Sequence, residues 1–143
     1  MYKVAADAAL HFFPLGSGPG SFVPVFKLFE DPGQVTNVFV NHSHSDYIEL
    51  TVEGGLAGLL LIACMLLWWG SRATAIWFAR APSRMDRAAV VATAAILAHS
   101  LVDYPARTAA IGTILAAGLA LMASRPEVKA EEASAGGRHL RAE

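Results

Sequence analysis

The sequence has few charged residues and a single cysteine, and both shortages restrict what the chain can be. Only 16% of the 143 residues are Asp, Glu, Lys or Arg, whereas 55% are hydrophobic. Soluble domains carry about 25% charged residues, so this composition favours a membrane protein. Because Cys64 is the only cysteine, the chain cannot form an intrachain disulfide.

Three stretches are apolar enough to be membrane spans. The stretch from Leu50 to Trp69 contains one charged residue, Glu53, and twenty residues at about 1.5 Å each match a hydrocarbon core of about 30 Å. Residues 88–102 and 108–124 are shorter but carry no formal charge, and they would cross the bilayer if it is locally thinned. The sequence therefore predicts an all-α membrane protein with three transmembrane helices, at about 50–69, 88–102 and 108–124.

The charges are segregated along the chain. Four arginines and a single acid, Asp86, lie between the first two predicted spans, whereas residues 30–53 carry five acids and no Lys or Arg. By the positive-inside rule the arginine-rich loop is cytoplasmic. This predicts a multi-pass membrane protein, with residues 1–47 on the opposite side, which in the inner membrane of a bacterium is the periplasm. Its predicted parts are a periplasmic loop region with short helices and a Gly/Pro-rich turn (1–47), a transmembrane region (48–124) and a disordered cytoplasmic tail (125–143).

The stretch "HSDYIELTVEGG" combines a candidate base with a helix start. Asp46 and Glu49 form a pair like a capping box, which predicts a helix beginning near Asp46, with His44 just before its first turn. The helix dipole there disfavours imidazolium, so we expect a neutral His44 that can accept a proton beside a possible phosphate site. The alternative is a surface histidine that is hydrogen-bonded in a loop. Glu53 lies at the edge of the hydrocarbon and needs a partner, for which we expect an upstream arginine.

A second polar cluster, "AHSLVDYPAR", ends the middle predicted span. His99 and Asp103 are four residues apart and are expected to share a helix face that ends at Pro105. The predicted topology brings this cluster and Arg107 to the same side of the membrane as His44. An ionisable pair inside a membrane suggests a functional site, but a structural hydrogen bond that joins two helices is an equal alternative.

The glycines suggest packing rather than a binding site, and His42 does not complete a metal site. Gly54 and Gly58 have the GxxxG spacing that lets two helices approach closely. The loop "GSGPG" lacks the lysine of a P-loop and is interpreted as a turn. His42 and His44 have no further ligand at a sensible spacing, so no metal or other cofactor is predicted and His42 is interpreted as a bystander. No motif indicates a nucleic-acid partner.

Three motifs together resemble the bacterial O-antigen ligase and O-antigen polymerase family of membrane glycosyltransferases. The stretch "PLGSGPGSF" (14–22) resembles the family's P-x-G-x-G-x-G-x-F, and "HSDYIELTVEGGLAG" (44–58) is similar to its H-N-x-Y-L-x-x-x-x-E-x-G-x-x-G. The stretch "HSLVDYPAR" (99–107) resembles the end of the family's penultimate helix. The positions that match the first two motifs include Gly16, Gly18, Gly20, His44, Tyr47, Glu53, Gly55 and Gly58.

The resemblance implies the C-terminal part of a larger GT-C-like helical bundle. Its activity would be transfer of a glycan from an undecaprenyl-diphosphate carrier to an acceptor glycan or lipid A core, at the periplasmic face and without a cofactor. His44 would be the base and Glu53 its support, with Tyr47, His99, Asp103 and Arg107 as possible helpers and the glycines shaping loops and packing. The cationic side chains that stabilise the diphosphate are expected in a missing N-terminal part of the same protein.

Two other functions fit the same residues. One is a non-catalytic membrane fragment or helper subunit, in which His44 and Glu53 dock partner helices. The other is a transporter subunit, in which His99 and Asp103 form a relay. Within the family, the residues do not separate a ligase from a polymerase or from a protein-directed transferase.

Overall fold

The structure, a computed structural model, describes residues 2–30, 33, 42–80 and 83–124. These residues form helices joined by turns and contain no strand, which confirms the all-α prediction. The predicted tail (125–143) lies outside the described residues, as does part of the predicted loop region. The α-helices are α1 (Tyr2–Phe12), α2 (Phe22–Phe29), α3 (Asp46–Trp77), α4 (Arg84–His99) and α5 (Ala109–Ala123), with a 3-10 turn at Pro105–Arg107.

Helix α3 dominates the fold. Among the described residues it is the one helix long and apolar enough to cross a membrane. It contains the first predicted span and extends to Trp77. The other two predicted spans coincide roughly with α4 and α5, of which α5 is apolar but has only 15 residues. Large apolar side chains on α3 are exposed, among them Leu60, Leu61 and Leu67.

The start of α3 is capped by Ser45 rather than by the predicted pair of acids. Ser45 has extended backbone angles, and its side chain accepts a hydrogen bond from the backbone N–H of Ile48. The helix begins at Asp46, as predicted. The capping-box interpretation of Asp46 and Glu49 is wrong, because the serine hydroxyl already occupies the capping position and both carboxylates bind other partners.

Helix α3 is broken at Gly55, where the backbone has φ 53° and ψ −134°. The loop after α1 satisfies the backbone groups that the break releases. Ser17 N donates to Val52 O at 2.9 Å, Gly18 N donates to Glu53 O at 3.0 Å, and Leu56 N donates to Pro14 O at 2.8 Å. These loop N–H groups are therefore engaged within the protein, in agreement with the interpretation of "GSGPG" as a turn.

The close approaches at glycine differ from the predicted GxxxG face. A Cβ on Gly55 would overlap the Pro14 carbonyl oxygen, and one on Gly58 would overlap the Leu50 carbonyl oxygen within α3 itself. Gly54 has only the Leu50 side chain near it, at 4.0 Å. The break folds α3 so that Gly55 and Gly58 accommodate the loop and the backbone of α3 itself. The approach of another helix at Gly54 stays a prediction.

The C-terminal part of α3 packs with α4 and α5. Trp69 Nε1 donates to Thr93 Oγ1 at 2.8 Å, and the Thr93 methyl group occupies the space that the absent side chain of Gly118 leaves. Arg72 Nε donates to the carbonyl oxygen of the fully buried Met122 at 2.7 Å, near the end of α5. These contacts fix the three helices together and bring the α4–α5 turn beside the start of α3.

A second apolar core lies at the opposite end of α3. There α1 and α2 pack on α3 around the buried side chains of Ala5, Ala8, Phe22, Val25, Phe26 and Val52. The polar residues described next lie between this core and the α4–α5 turn.

Candidate functional site

His44 lies immediately before the capping residue of α3, as predicted. Its backbone has φ 51°, a left-handed conformation that histidine adopts more readily than most residues. Tyr2 Oη donates a hydrogen bond to the His44 carbonyl oxygen at 3.1 Å, so α1 holds this turn. The imidazole is 52% exposed, which leaves it accessible to a ligand.

Asp103 brings the two predicted polar clusters together. Its Oδ1 atom lies 3.7 Å from His44 Nδ1, and its Oδ2 atom lies 3.6 Å from His99 Nε2. Asp103 Oδ1 also accepts a hydrogen bond from Tyr104 N at 2.9 Å, which fixes the carboxylate. One aspartate therefore lies between two imidazoles from distant parts of the chain.

The end of α4 differs from the prediction. The last residue of the helix is His99. Its C-cap, Ser100, lies five residues before Pro105. Asp103 therefore lies in the turn after α4 and does not share a helix face with His99. The predicted proximity of the two side chains is nevertheless observed, because Asp103 N donates to His99 O at 3.0 Å and keeps the chain in a helix-like turn.

Arg107 lies close to three carboxylates of α3. Its Nη2 atom lies 3.2 Å from Glu49 Oε1 and 3.9 Å from Glu53 Oε2, and its Nε atom lies 3.7 Å from Asp46 Oδ1. Glu53 also accepts a hydrogen bond from Phe22 N at 3.3 Å. The prediction of an upstream arginine as the partner of Glu53 is therefore wrong. Its partner is Arg107, which lies downstream in the sequence, in the turn before α5.

Asp46 and Tyr47 connect the start of α3 to the end of α4. The Asp46 carboxylate accepts from Ser100 Oγ at 2.8 Å and from Ala106 N at 3.2 Å. Tyr47 Oη donates to Leu97 O at 2.9 Å. Tyr47, which the family motif singles out, thus has a structural contact that positions α3 against α4.

His42, interpreted as a bystander from the sequence, contacts the same group of side chains as Arg107. Its Nδ1 atom lies 3.0 Å from Oε1 of Glu49, a carboxylate that is 2% exposed. Ser43 N donates to the other oxygen of Glu49 at 3.1 Å. The His42 ring packs on Tyr104, with 4.7 Å between the ring centroids, and the His44 ring approaches Tyr104 edge-on at 5.4 Å.

Four residues of this cluster did not appear among the predicted site residues: His42, Asp46, Glu49 and Tyr104. One signal in the sequence points to part of it. Asp46, Glu49 and Glu53 are three and four residues apart, a spacing that places carboxylates on one helix face. Nothing local in the sequence indicates that Arg107 would meet that face.

The predicted glycines determine the backbone of the neighbouring loop and of the break in α3, and they are not part of the polar cluster. Gly16, Gly18 and Gly20 all have positive φ. A Cβ on Gly16 would meet the backbone at Gly55, while Gly18 and Gly20 have open space around them. Gly16 and Gly55 therefore require glycine on two grounds, conformation and space.

An apolar groove of about 430 Å³ runs between α1 and α3. The hydroxyl groups at its edge are turned toward main-chain acceptors, since Tyr47 Oη donates to Leu97 O and Thr51 Oγ1 donates to Tyr47 O. The groove therefore offers an apolar surface that begins one turn after His44. Its lining residues are Ala6, Ala9, Leu10, Tyr47, Ile48, Thr51, Leu59 and Ile62.

The polar cluster contains groups that can transfer protons. Within the described ranges, no group of three or more His, Cys, Asp or Glu residues has an arrangement that could hold a metal ion. No protein-family model, curated protein or solved structure matches the chain. What the cluster can do therefore follows from its own chemistry, which is three imidazoles, of His42, His44 and His99, each facing a carboxylate, beside an apolar groove.

Proposed function

We propose that this chain forms the periplasmic-side catalytic end of a membrane glycosyltransferase of the O-antigen ligase and polymerase type. One observation carries the proposal: His44 and Asp103, which lie 59 residues apart in the sequence, are 3.7 Å apart at the start of the candidate membrane helix. An exposed imidazole oriented by a carboxylate is the arrangement that a general base requires.

In the proposed reaction the acceptor sugar hydroxyl gives its proton to Nε2 of His44. The hydroxyl oxygen then forms a bond to the anomeric carbon of the donor glycan. The bond from that carbon to the carrier diphosphate breaks, and its electron pair goes to the diphosphate oxygen. Asp103 Oδ1 lies 3.7 Å from Nδ1, and in the proposed complex this contact closes to a hydrogen bond that leaves Nε2 facing the acceptor.

The apolar groove supports a lipid-linked donor such as a glycan on undecaprenyl diphosphate. Leu59 and Ile62 line it from the part of α3 that follows the break at Gly55. That part comprises 22 residues, Leu56 to Trp77, and is about 33 Å long at 1.5 Å per residue. A lipid chain in the groove would therefore run from the bilayer toward His44.

The membrane arrangement is also part of the proposal. We infer that α3, α4 and α5 cross a bacterial inner membrane as part of a GT-C-like bundle, with His44 on the periplasmic side and the arginine-rich connection on the cytoplasmic side. Arg87 lies 5.5 Å from the Trp77 ring centroid, a cation–π contact that suits an interfacial position.

The leaving diphosphate needs cations that the described cluster does not supply. Arg107 approaches three carboxylates, of Asp46, Glu49 and Glu53, and is therefore engaged. We propose that cationic side chains outside the described residues, on partner segments in the bilayer, stabilise the diphosphate.

The test is glycan transfer in membranes that contain the chain with either His44→Asn or His11→Asn. Asparagine tolerates the left-handed backbone at position 44, so the variant should keep the fold. We expect His44→Asn to lower transfer by about 10²- to 10⁴-fold, the usual contribution of a general base. His11 packs against Phe12 and Phe29, at the other end of α1 from the Tyr2 that contacts His44, and its variant should retain transfer. Unchanged transfer in inserted His44→Asn would refute the proposal.

A transporter function has less support. Transporters place ions and substrates at the freed backbone groups of broken helices. At the Gly55 break, the carbonyl groups of Val52 and Glu53 already accept hydrogen bonds from the loop after α1. The break thus carries a structural contact where a transporter would bind its ion.

A further inference from the structure

The cluster contains a second pairing of an imidazole with a carboxylate, between His42 and Glu49. We propose that His42 is a further catalytic residue, a general acid that protonates the departing diphosphate oxygen, while His44 acts as the base. The inference rests on the proposed function and assigns this site a two-histidine acid–base mechanism.

The imidazole and the carboxylate are closer together in the His42 pair than in the His44 pair. His42 Nδ1 and Glu49 Oε1 are within hydrogen-bond distance at 3.0 Å, whereas His44 Nδ1 and Asp103 Oδ1 are 3.7 Å apart. The Glu49 carboxylate is itself fixed by Ser43 N and by Arg107. With Nδ1 bound to this carboxylate, Nε2 is the ring nitrogen that would meet a ligand, and the side chain is 34% exposed.

The two pairs differ in environment in a way that separates their roles. The carboxylate partner of His42 is 2% exposed and lies 3.0 Å from its ring, whereas that of His44 is 44% exposed and lies 3.7 Å away. The imidazole of His44 is also the more exposed of the two, at 52% against 34%. We therefore assign the acid to the ring that is hydrogen-bonded to a buried carboxylate, and the base to the ring that is more open to an acceptor hydroxyl.

Tyr104 makes the two histidines parts of one site. Its ring contacts both imidazoles, with centroid separations of 4.7 Å to His42 and 5.4 Å to His44. Both imidazoles therefore border the same aromatic ring. The titratable and charged residues around the two histidines, from all the elements that pack here, are Tyr2, Asp46, Glu49, Glu53, His99, Asp103, Tyr104 and Arg107.

The protons balance over one turnover. His44 Nε2 accepts the proton of the acceptor hydroxyl as the new glycosidic bond forms. His42 Nε2 gives its proton to the carrier phosphate oxygen as the old bond breaks. Because both side chains are accessible, exchange with water removes the proton from His44 and returns one to His42, which restores the starting state.

The test compares pH–rate profiles for transfer from the diphosphate-linked donor by the wild-type chain, His42→Gln and His44→Asn. A base and an acid together give a bell-shaped profile. We expect His42→Gln to lower the maximal rate by about 10²-fold and to abolish the fall in rate at high pH, while the fall at low pH remains. His44→Asn should have the opposite effect on the profile. His11→Gln is the matched control.

Several outcomes would overturn the inference. It is wrong if His42→Gln keeps both limbs of the profile, or if the wild-type rate does not fall at high pH, a measurement that needs no variant. Loss of transfer in His44→Asn with a wild-type profile in His42→Gln would reject the acid and keep the proposed function. Equal transfer in all the variants would reject both.

A spectroscopic measurement tests the His42 pair without any turnover. In ¹⁵N-histidine-labelled protein, we expect His42 to show a protonated, hydrogen-bonded Nδ1 whose signal changes in Glu49→Gln. The circular dichroism of each variant should show retained helix. An Nδ1 signal that is the same with and without the Glu49 carboxylate would contradict the pairing.

Discussion

The Nη2 atom of Arg107 lies 3.2 Å from Oε1 of the buried Glu49, and this contact joins the turn before α5 to the first turns of α3. It matters because a buried carboxylate is costly without a partner. The same guanidinium approaches Asp46 and Glu53. Arg107 therefore positions the surface from which His42 and His44 project.

Replacing Arg107 should destabilise this end of the molecule. In Arg107→Gln the carboxylates of Glu49 and Glu53 lose their charged partner, and we expect the free energy of unfolding to fall by about 1–3 kcal/mol, since water reaches the partly exposed site. Thermal unfolding in detergent measures this loss. Arg84→Gln, at an exposed position of α4, is the control, and an equal effect of both variants would contradict the role of Arg107.

Gly55 and Gly54 should respond to alanine in opposite directions. Gly55→Ala requires a side chain at positive φ, which costs about 1–3 kcal/mol, and it adds an overlap with the Pro14 carbonyl oxygen. Gly54 has regular helical geometry and open space, so Gly54→Ala should be neutral or stabilise by up to about 1 kcal/mol. The same melting experiment measures both variants. If Gly54→Ala lowers the free energy of unfolding more than Gly55→Ala does, the result would support the GxxxG interpretation and contradict the break at Gly55.

The contrast between neighbouring glycines shows what the sequence could and could not predict. Hydrophobic runs locate α5 to within one residue at each end, and α3 begins at Asp46 as predicted, because local patterning decides these positions. Helix α3 runs eight residues past the predicted span, however, and α4 begins four residues before its predicted span and ends three residues before that span does. The break at Gly55 depends on a tertiary contact with the loop at Pro14, some 40 residues away. Spacing alone could not distinguish that contact from a helix-packing motif.

Asp103 should control which nitrogen of His44 carries the proton. With the carboxylate near Nδ1, we expect the neutral imidazole to be protonated mainly on Nδ1, and Asp103→Asn should shift this population toward Nε2. Imidazole ¹⁵N chemical shifts measure the proportions of the two tautomers. Transfer should fall by about 10- to 100-fold, less than on loss of the base itself.

His99 provides the control for Asp103. It contacts the same carboxylate from the other side, at 3.6 Å, but the mechanism does not route the proton through it. His99→Gln should therefore leave the His44 tautomer unchanged and reduce transfer by less than Asp103→Asn. A tautomer shift in His99→Gln but not in Asp103→Asn would show that the carboxylate does not orient His44.

The site itself was only partly predictable. His44, Glu53, His99 and Asp103 stand out in the sequence because polar residues beside apolar runs are conspicuous. The role of His42 depends on the burial of Glu49, and that burial depends on Arg107 arriving from the α4–α5 turn. These are long-range electrostatic relationships, which neither periodicity nor spacing encodes.

Cys64 provides a direct test of the membrane arrangement. It is the only cysteine and is exposed on the surface of α3. If α3 crosses the bilayer, lipid should protect this thiol, so a membrane-impermeant maleimide should not label it in intact or inverted vesicles, whereas labelling in denaturant should be complete. In a Cys64→Ser background, cysteines at Leu15 and Arg80 should be labelled from opposite sides. Rapid labelling of Cys64 in sealed vesicles would argue against the span.

The most direct test of the account is the initial rate of glycan transfer by the purified wild-type chain and its His44→Asn variant, reconstituted with the same membrane partners and a diphosphate-linked donor. We expect metal-independent transfer by the wild type and a loss of about 10²- to 10⁴-fold in the variant, with its helical content and membrane insertion unchanged. Equal rates for the two proteins would contradict His44 as the base, and absence of transfer by the wild type would contradict the glycosyltransferase function.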